Sequence, residues 1–246
     1  NVATLMDGDK ADMVFTDPPY NVNYAGRGKK TSRTIENDHM DNSSFLQFLD
    51  GAYKSMAFAT TEKAPAYVCY ASSTHREFEN SLNNQGYRVK NQIIWVKKVA
   101  SMGWGDYRWK HEPILYCVKQ DQSVPFYGER NEYTVWDHEP TDDELLSEVK
   151  RQVSVDEDGA STVWRLGRDS NYEHPTQKPV KLIAIALMNS SQIGDKVLDL
   201  FGGGGTTLVA CEQLDRQCYT MEYDPGFVDV IIRRWEKLTG QTAVKI

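Results

Sequence analysis

The chain has 246 residues, 40% of them hydrophobic and 11% aromatic, with a formal net charge of -7. That length can bury roughly 70 to 75% of the unfolded surface in one α/β domain, and no apolar run reaches a membrane span or resembles a signal peptide. The acidity is local: residues 137–159 hold nine acids and two bases, so this segment alone carries -7 and the remainder sums to zero.

In chain order, the sequence starts at Asn1 in what reads as a helix, the expected sign of a processed or trimmed fragment. ADMVFT (11–16) follows as a short buried strand. It runs into FTDPPYN (15–21), where two successive prolines fix two φ angles and remove two backbone donors. The strand must stop there, leaving the carbonyls of Asp17 and Pro18 outside any ladder. GRGKKTSR (26–33) comes next, with four bases and no acid. SSFLQFLDGAYKSMAFA (43–59) reads as a helix capped by Ser43 or Ser44, and AYVCYA (66–71) as a strand. A helix from about Ser73 to Asn84 stops at Gly86, and YRVKNQIIWVK (87–97) and EPILYCV (112–118) are strands. Between them KKVASMGWGDYRWKH (97–111) interleaves four bases with aromatics.

Residues 120–175 lack a rhythm, and then alternation resumes. KPVKLIAIALMNS (178–190) is a helix with Pro179 in its first turn, KVLDLF (196–201) a strand, TTLVACEQL (206–214) a helix and QCYTME (217–222) a strand. DPGFVDVIIRRWEKLTG (224–240) carries an Asp cap, a Pro start and a Gly stop. Strands alternating with helices predict a mainly parallel sheet covered on both faces. Cys69, Cys117, Cys211 and Cys218 form no C-x-x-C pair and lie in apolar segments, which predicts buried free thiols in a reducing, cytoplasmic-type compartment. The five histidines have no ligand spacing, and no metal is expected.

LDLFGGGGTT (198–207) places backbone N–H groups, Thr206 and Thr207 at a helix N-terminus, where an anionic ligand group is favoured. Glu222 follows Gly202 by twenty residues at the end of the next strand, where a carboxylate can accept both hydroxyls of a ribose. This part alone also fits a nicotinamide-dependent oxidoreductase, although Thr207 stands where a third glycine would complete that fingerprint.

DPPY, then HPTQKP (174–179) leading into a helix, then FGGGGTT with TMEYDP (220–225), resemble in this order the beta-class DNA amino-methyltransferases. The resemblance runs from about residue 11 to 240. It implies a Rossmann-like α/β fold with a seven-stranded sheet, S-adenosylmethionine as methyl donor, and a flipped base in double-stranded DNA as acceptor. It assigns catalysis to Asp17, Pro18, Pro19 and Tyr20, and cofactor contacts to Phe201, Gly202, Gly203, Gly204, Thr206, Thr207 and Glu222. Gln177 and Lys178 fall near the methionyl end, although Lys178 also reads as an ordinary helix-start lysine. Residues 120–165 occupy the target-recognition position of a single domain spanning 1–246. Their acidity fits packing on a second subunit, mimicry of DNA charge, or a solvated arm. The chain departs from the family pattern twice: no strand ending in Gly-Asp precedes the first helix, which predicts an incomplete sheet, and a glycine replaces a frequent serine in FGGGGTT.

An exocyclic amino group is a poor nucleophile because its lone pair is delocalised into the ring. Two acceptors on its hydrogens draw the nitrogen towards tetrahedral geometry: the Asp17 carboxylate and the Pro18 carbonyl. Pro19 keeps the turn rigid, and Tyr20 stacks on the extruded base. Phosphate contacts are expected from Arg27, Lys29, Lys30, Arg33, Lys97, Arg108 and Lys110. Adenine N6 is the expected acceptor and cytosine N4 the alternative. An oxidoreductase leaves DPPY and HPTQKP without a task, and a non-catalytic DNA-binding module leaves the catalytic residues without one.

Overall fold

This chain has four short parallel strands, three of them largely buried on both faces, as a parallel sheet between two helical layers requires, and the fourth, at the sheet edge, only partly covered. They are β1 (Met13–Thr16), β2 (Ala66–Cys69), β6 (Lys196–Asp199) and β7 (Gln217–Thr220). β3 (Tyr87–Val96), β4 (His111–Lys119) and β5 (Val135–Trp136) complete a seven-stranded sheet in the order β5-β3-β4-β2-β1-β6-β7. The structure, a computed structural model, describes residues 1–22, 39–97, 100, 106–128, 132–137 and 177–245. β4 alone runs against the other six strands, because it returns directly from β3 as an antiparallel partner while the other connections cross over. The sheet is therefore not short of a strand, contrary to what the absent Gly-Asp strand implied. β5, two residues long and paired with β3, comes from the stretch in which the sequence shows no rhythm.

The helices are α1 (Val2–Met6), α2 (Asn42–Ala59), α3 (His75–Asn84), α4 (Val180–Ser190), α5 (Thr206–Gln213) and α6 (Pro225–Thr239). α2 starts at Asn42, one residue before the first of the expected caps. Asp41, not Ser43 or Ser44, is its cap: one carboxylate oxygen accepts from Ser44 N at 3.0 Å and the other from Ser44 Oγ at 2.5 Å. α6 opens on Asp224, which accepts from Gly226 N at 2.6 Å, and closes on Gly240 in the left-handed region. Pro179 is the residue that caps α4 rather than part of its first turn, so Lys178 lies outside the helix.

Alternation along β1 divides the core. Val14 faces Phe45, Leu49, Tyr53 and Phe78 of α2 and α3, whereas Met13 and Phe15 face Leu182, Ile183 and Leu187 of α4 and Cys211 of α5. All four cysteines are free thiols, three of them buried. Winding reverses between β1 and β6: the chain proceeds outward from β1 to β2 on one side and from β6 to β7 on the other. A ligand crevice opens at the carboxyl ends of strands at such a reversal. DPPY follows β1 and the glycine turn follows β6, so both motifs meet there. No helix is long and apolar enough to cross a membrane among the described residues.

Candidate active site

A cavity of about 1060 Å³ lies at this crevice, lined by Asp17, Pro18, Pro19 and Tyr20 on one side and by Phe201, Gly202, Gly203, Gly204, Thr206, Thr207 and Glu222 on the other. Gln177 and Lys178 also line it, as do Lys97, Trp109 and Glu112, so every expected catalytic and cofactor residue faces one space.

Both oxygens of the Asp17 carboxylate are engaged. Oδ1 accepts from the Tyr20 hydroxyl at 2.6 Å and Oδ2 from Lys178 Nζ at 2.6 Å. Lys178 also donates to the Tyr20 hydroxyl at 3.1 Å, and its ammonium lies 5.3 Å from the Tyr20 ring centroid. Burial pushes the Tyr20 hydroxyl well up in pKa, and the neighbouring Asp17 adds to it, so the phenol stays a neutral donor. Lys178 makes a second ion pair, with Glu112 Oε2 at 3.2 Å, and Glu112 Oε1 pairs with Lys97 Nζ at 3.1 Å. Burial disfavours the Lys178 ammonium, but the two carboxylates outweigh it and raise its pKa. Lys178 is thus a buried ion-pair centre and not an ordinary helix-start lysine.

The glycine turn is held by its own hydrogen bonds. Gly202 N donates to Met221 O at 2.7 Å, and Gly203 N donates to Glu222 Oε2 at 2.7 Å. A Cβ on Gly202 would sit 2.6 Å from Thr220 Oγ1 and 3.2 Å from the Met221 carbonyl, so the close approach of this turn to β7 requires glycine. Glu222 Oε1 accepts from Tyr223 N and Asp224 N, both at 2.8 Å. A carboxylate offers about four lone-pair directions, and three of them are taken by backbone donors. The fourth, on Oε2, has no donor among the described residues.

Residues around the turn fit an S-adenosylmethionine. Buried polar atoms of Gln177 (both amide atoms), Thr206 (Oγ1) and Thr220 (Oγ1) line the cavity without a partner among the described residues. Such groups are costly to bury unless a ligand or water satisfies them. The first N–H groups of α5 lack helical partners and suit a carboxylate. Thr207 is committed elsewhere: its hydroxyl donates to Asp199 Oδ2 at 2.7 Å.

Asp199, the last residue of β6, and Glu112 are two residues the sequence reading passed over. Asp199 stood inside the motif as part of an apolar strand, and Glu112 sits at the head of another, so neither pattern marks them. Burial raises Asp199 to about 6, although Thr207, Phe201 N and the Thr16 hydroxyl all donate to it. The folded state therefore holds a proton that the unfolded chain releases from about pH 4 upward. This group's stabilising contribution is complete below that window and is lost as pH rises through it towards 6. Asp199→Asn removes the loss. The variant is expected to be more stable than wild type at pH 8, by about 1 to 3 kcal/mol, and to show no advantage at pH 4 in urea unfolding. A variant destabilised equally at both pH values would contradict the assigned cause.

Of the expected DNA contacts, Arg108 and Lys110 are exposed between β3 and β4, beside exposed Tyr107 and Trp109. Lys97 is half-buried in its pair with Glu112, a different setting from an open phosphate contact. Arg27, Lys29, Lys30 and Arg33 lie outside the described residues, as does nearly all of the acidic segment 137–159 and the first half of HPTQKP. No cluster of His, Cys, Asp or Glu fit to hold a metal occurs among the described residues.

Comparison with known proteins agrees with this geometry. A family model described as DNA methylase matches residues 11–233. The Type II methyltransferase M2.DpnII of Streptococcus pneumoniae is 24% identical over 239 residues, covering 94% of this chain and 84% of the relative. M2.MboI of Moraxella bovis is 24% identical, with 93% and 81% covered. Among solved structures, the complex of M1.HpyAVI with SAM superposes with a TM-score of 0.62 at 20% identity, over 93% of this chain and 90% of that one. The cytosine-N4-specific PvuII DNA methyltransferase superposes with a TM-score of 0.64 at 14% identity, over 96% and 88%. These structures share the fold, and the match over residues 11–233 places the chain in the family of S-adenosylmethionine-dependent DNA methylases.

Proposed function

We propose that this protein transfers a methyl group from S-adenosylmethionine to the exocyclic N6 amino group of adenine in double-stranded DNA. The observation that carries this reading is the single cavity into which both DPPY and the glycine turn open. When bound, S-adenosylmethionine supplies an electrophilic methyl on a sulfonium centre. Gly202, Gly203, Gly204, Thr206, Glu222 and Gln177 would hold it.

The acceptor side follows from the residues around Asp17. One amino hydrogen goes to Asp17 Oδ1 in place of the Tyr20 hydroxyl, which must turn away, and the other goes to the Pro18 carbonyl. Both bonds localise the nitrogen lone pair and strengthen as the nitrogen becomes cationic. The Asp17 carboxylate and the Tyr20 face then stabilise that cation. The transient ammonium is acidic enough to release its proton without a strong base. A base must leave the duplex to reach this recess, at a cost of a few kcal/mol that phosphate contacts and groove insertion offset. Four free thiols support a reducing, cytoplasmic-type setting.

Adenine is preferred because a purine offers more area for Tyr20 to stack on, and because DPPY accompanies adenine in the family it resembles. Digesting treated duplex DNA to nucleosides and weighing them tests this: N6-methyladenine is the expected product. N4-methylcytosine alone would reassign the base, and the absence of both would overturn the function.

Arg108 and Lys110 give a separate expectation. If each neutralises a phosphate, the double variant Arg108→Ala/Lys110→Ala should flatten the slope of log affinity against log salt by about 1 to 2, with similar loss on any duplex. An unchanged slope would remove both from the DNA interface.

A further inference from the structure

Behind Asp17 runs a chain of charges, Lys178 buried and Glu112 and Lys97 half-buried, to which amino-methyl transfer assigns no task. Along its contacts the order is Lys97, Glu112, Lys178, Asp17, alternating in sign, with gaps of 3.1, 3.2 and 2.6 Å. Four separate segments supply them: Asp17 follows β1, Lys97 follows the last residue of β3, Glu112 is the second residue of β4, and Lys178 precedes the cap of α4. Two cations and two anions leave the group neutral.

Lys178 donates to Asp17 Oδ2 and to the Tyr20 hydroxyl, and Glu112 Oε2 lies 3.2 Å from its ammonium as an ion-pair partner rather than a hydrogen-bond acceptor. Asp17 and Tyr20 belong to a turn beyond the end of β1. Glu112 belongs to a strand laddered on both sides, with β3 through its own pairing to Trp95 and with β2 two residues later at Ile114. The anchored end of the chain is therefore Glu112, and the end it steadies is Asp17. One oxygen of Asp17 is given to a fixed cation, which leaves Oδ1 and the Pro18 carbonyl for the two hydrogens of the acceptor amine. Glu112 also offsets the charge of Lys178. Without that offset Lys178 would draw all its compensation from Asp17, weakening the one anion that faces a nitrogen becoming positive during transfer.

We propose that Glu112 is a positioning residue for methyl transfer, acting through Lys178 to aim the Asp17 carboxylate and to neutralise the ammonium beside the reacting nitrogen. This rests on the amino-methyl transfer reading above.

The test is a double-mutant cycle in single-turnover methyl transfer with Glu112→Gln, Lys178→Met and the pair, each first shown to melt cooperatively. Glu112→Gln and Lys178→Met should each slow transfer about tenfold or more, and Glu112→Gln should keep affinities for S-adenosylmethionine and duplex DNA within about twofold of wild type. Because Glu112 works through Lys178, the double variant should be no slower than Lys178→Met alone. Glu112→Gln within about twofold of wild type, or effects that multiply in the double variant, would overturn the proposal. A second readout needs no activity: acetylation of the free protein, mapped by mass spectrometry, should spare Lys178 in wild type and modify it in Glu112→Gln. Equal labelling of Lys178 in both would overturn the positioning role. A wild-type protein that methylates no DNA would overturn the functional reading instead, and the acetylation map would still judge the Glu112–Lys178 pair.

Discussion

Asp17→Ala is expected to reduce methyl transfer by about a thousandfold or more, some 4 kcal/mol of barrier, while S-adenosylmethionine binds with near wild-type affinity. The reason lies in which side of the cavity each residue serves. Asp17 stands on the DPPY wall and makes its bonds to Tyr20 and Lys178, with none to the glycine turn. Its loss removes the acceptor that localises the amino lone pair and the anion that faces the developing cation. Lys178 keeps Glu112 as a partner, so the buried ammonium is not stranded. Rates from single-turnover assays and affinities from calorimetry separate the two effects. Transfer surviving within tenfold, roughly 1.4 kcal/mol, would show that Asp17 is not the catalytic acceptor.

Glu222→Ala should act in the opposite sense, on binding before chemistry. Glu222 ties the glycine turn to the loop after β7 through three backbone N–H groups, at 2.7, 2.8 and 2.8 Å. Alanine leaves those donors unpaired and removes the acceptor proposed for the ribose. Charge-assisted bonds of this kind contribute about 1.5 to 3 kcal/mol each, so an affinity loss of about a hundredfold, near 2.7 kcal/mol, is expected by calorimetry. Melting temperature should fall as well. Equal affinity in the variant would remove the ribose assignment.

The parts of this site that could be read from sequence are those whose chemistry is local. Proline pairs and glycine runs impose their backbone geometry on the residues beside them, so DPPY and FGGGG announce a strand end and a close approach by themselves. The order of motifs then places them after neighbouring strands, and β1 does pair with β6. Contacts between distant residues leave no such trace. Lys178 meets Asp17 across 161 positions of sequence, and its second carboxylate, Glu112, begins a strand whose pattern is otherwise apolar. The reversal of β4 was legible only as the absence of a helix between two strands. β5 shows no pattern because two residues are too few to establish a period. The cap of α2 was misplaced for a related reason: Asp, Asn and Ser all cap well, and D-N-S-S offers four candidates in a row.

The central claim is that methyl donor and acceptor base occupy the one cavity between the DPPY turn and the glycine turn. Isotope partitioning tests it most directly. Protein preloaded with methyl-labelled S-adenosylmethionine is mixed with duplex DNA and a large excess of unlabelled S-adenosylmethionine, and label in DNA is counted after one turnover. Label transferred in proportion to the preloaded protein, and lost in Asp17→Ala, is the result this geometry requires. Label that washes out into the unlabelled excess at every DNA concentration, while slow methylation continues, would mean that the donor bound here is not the one that reacts.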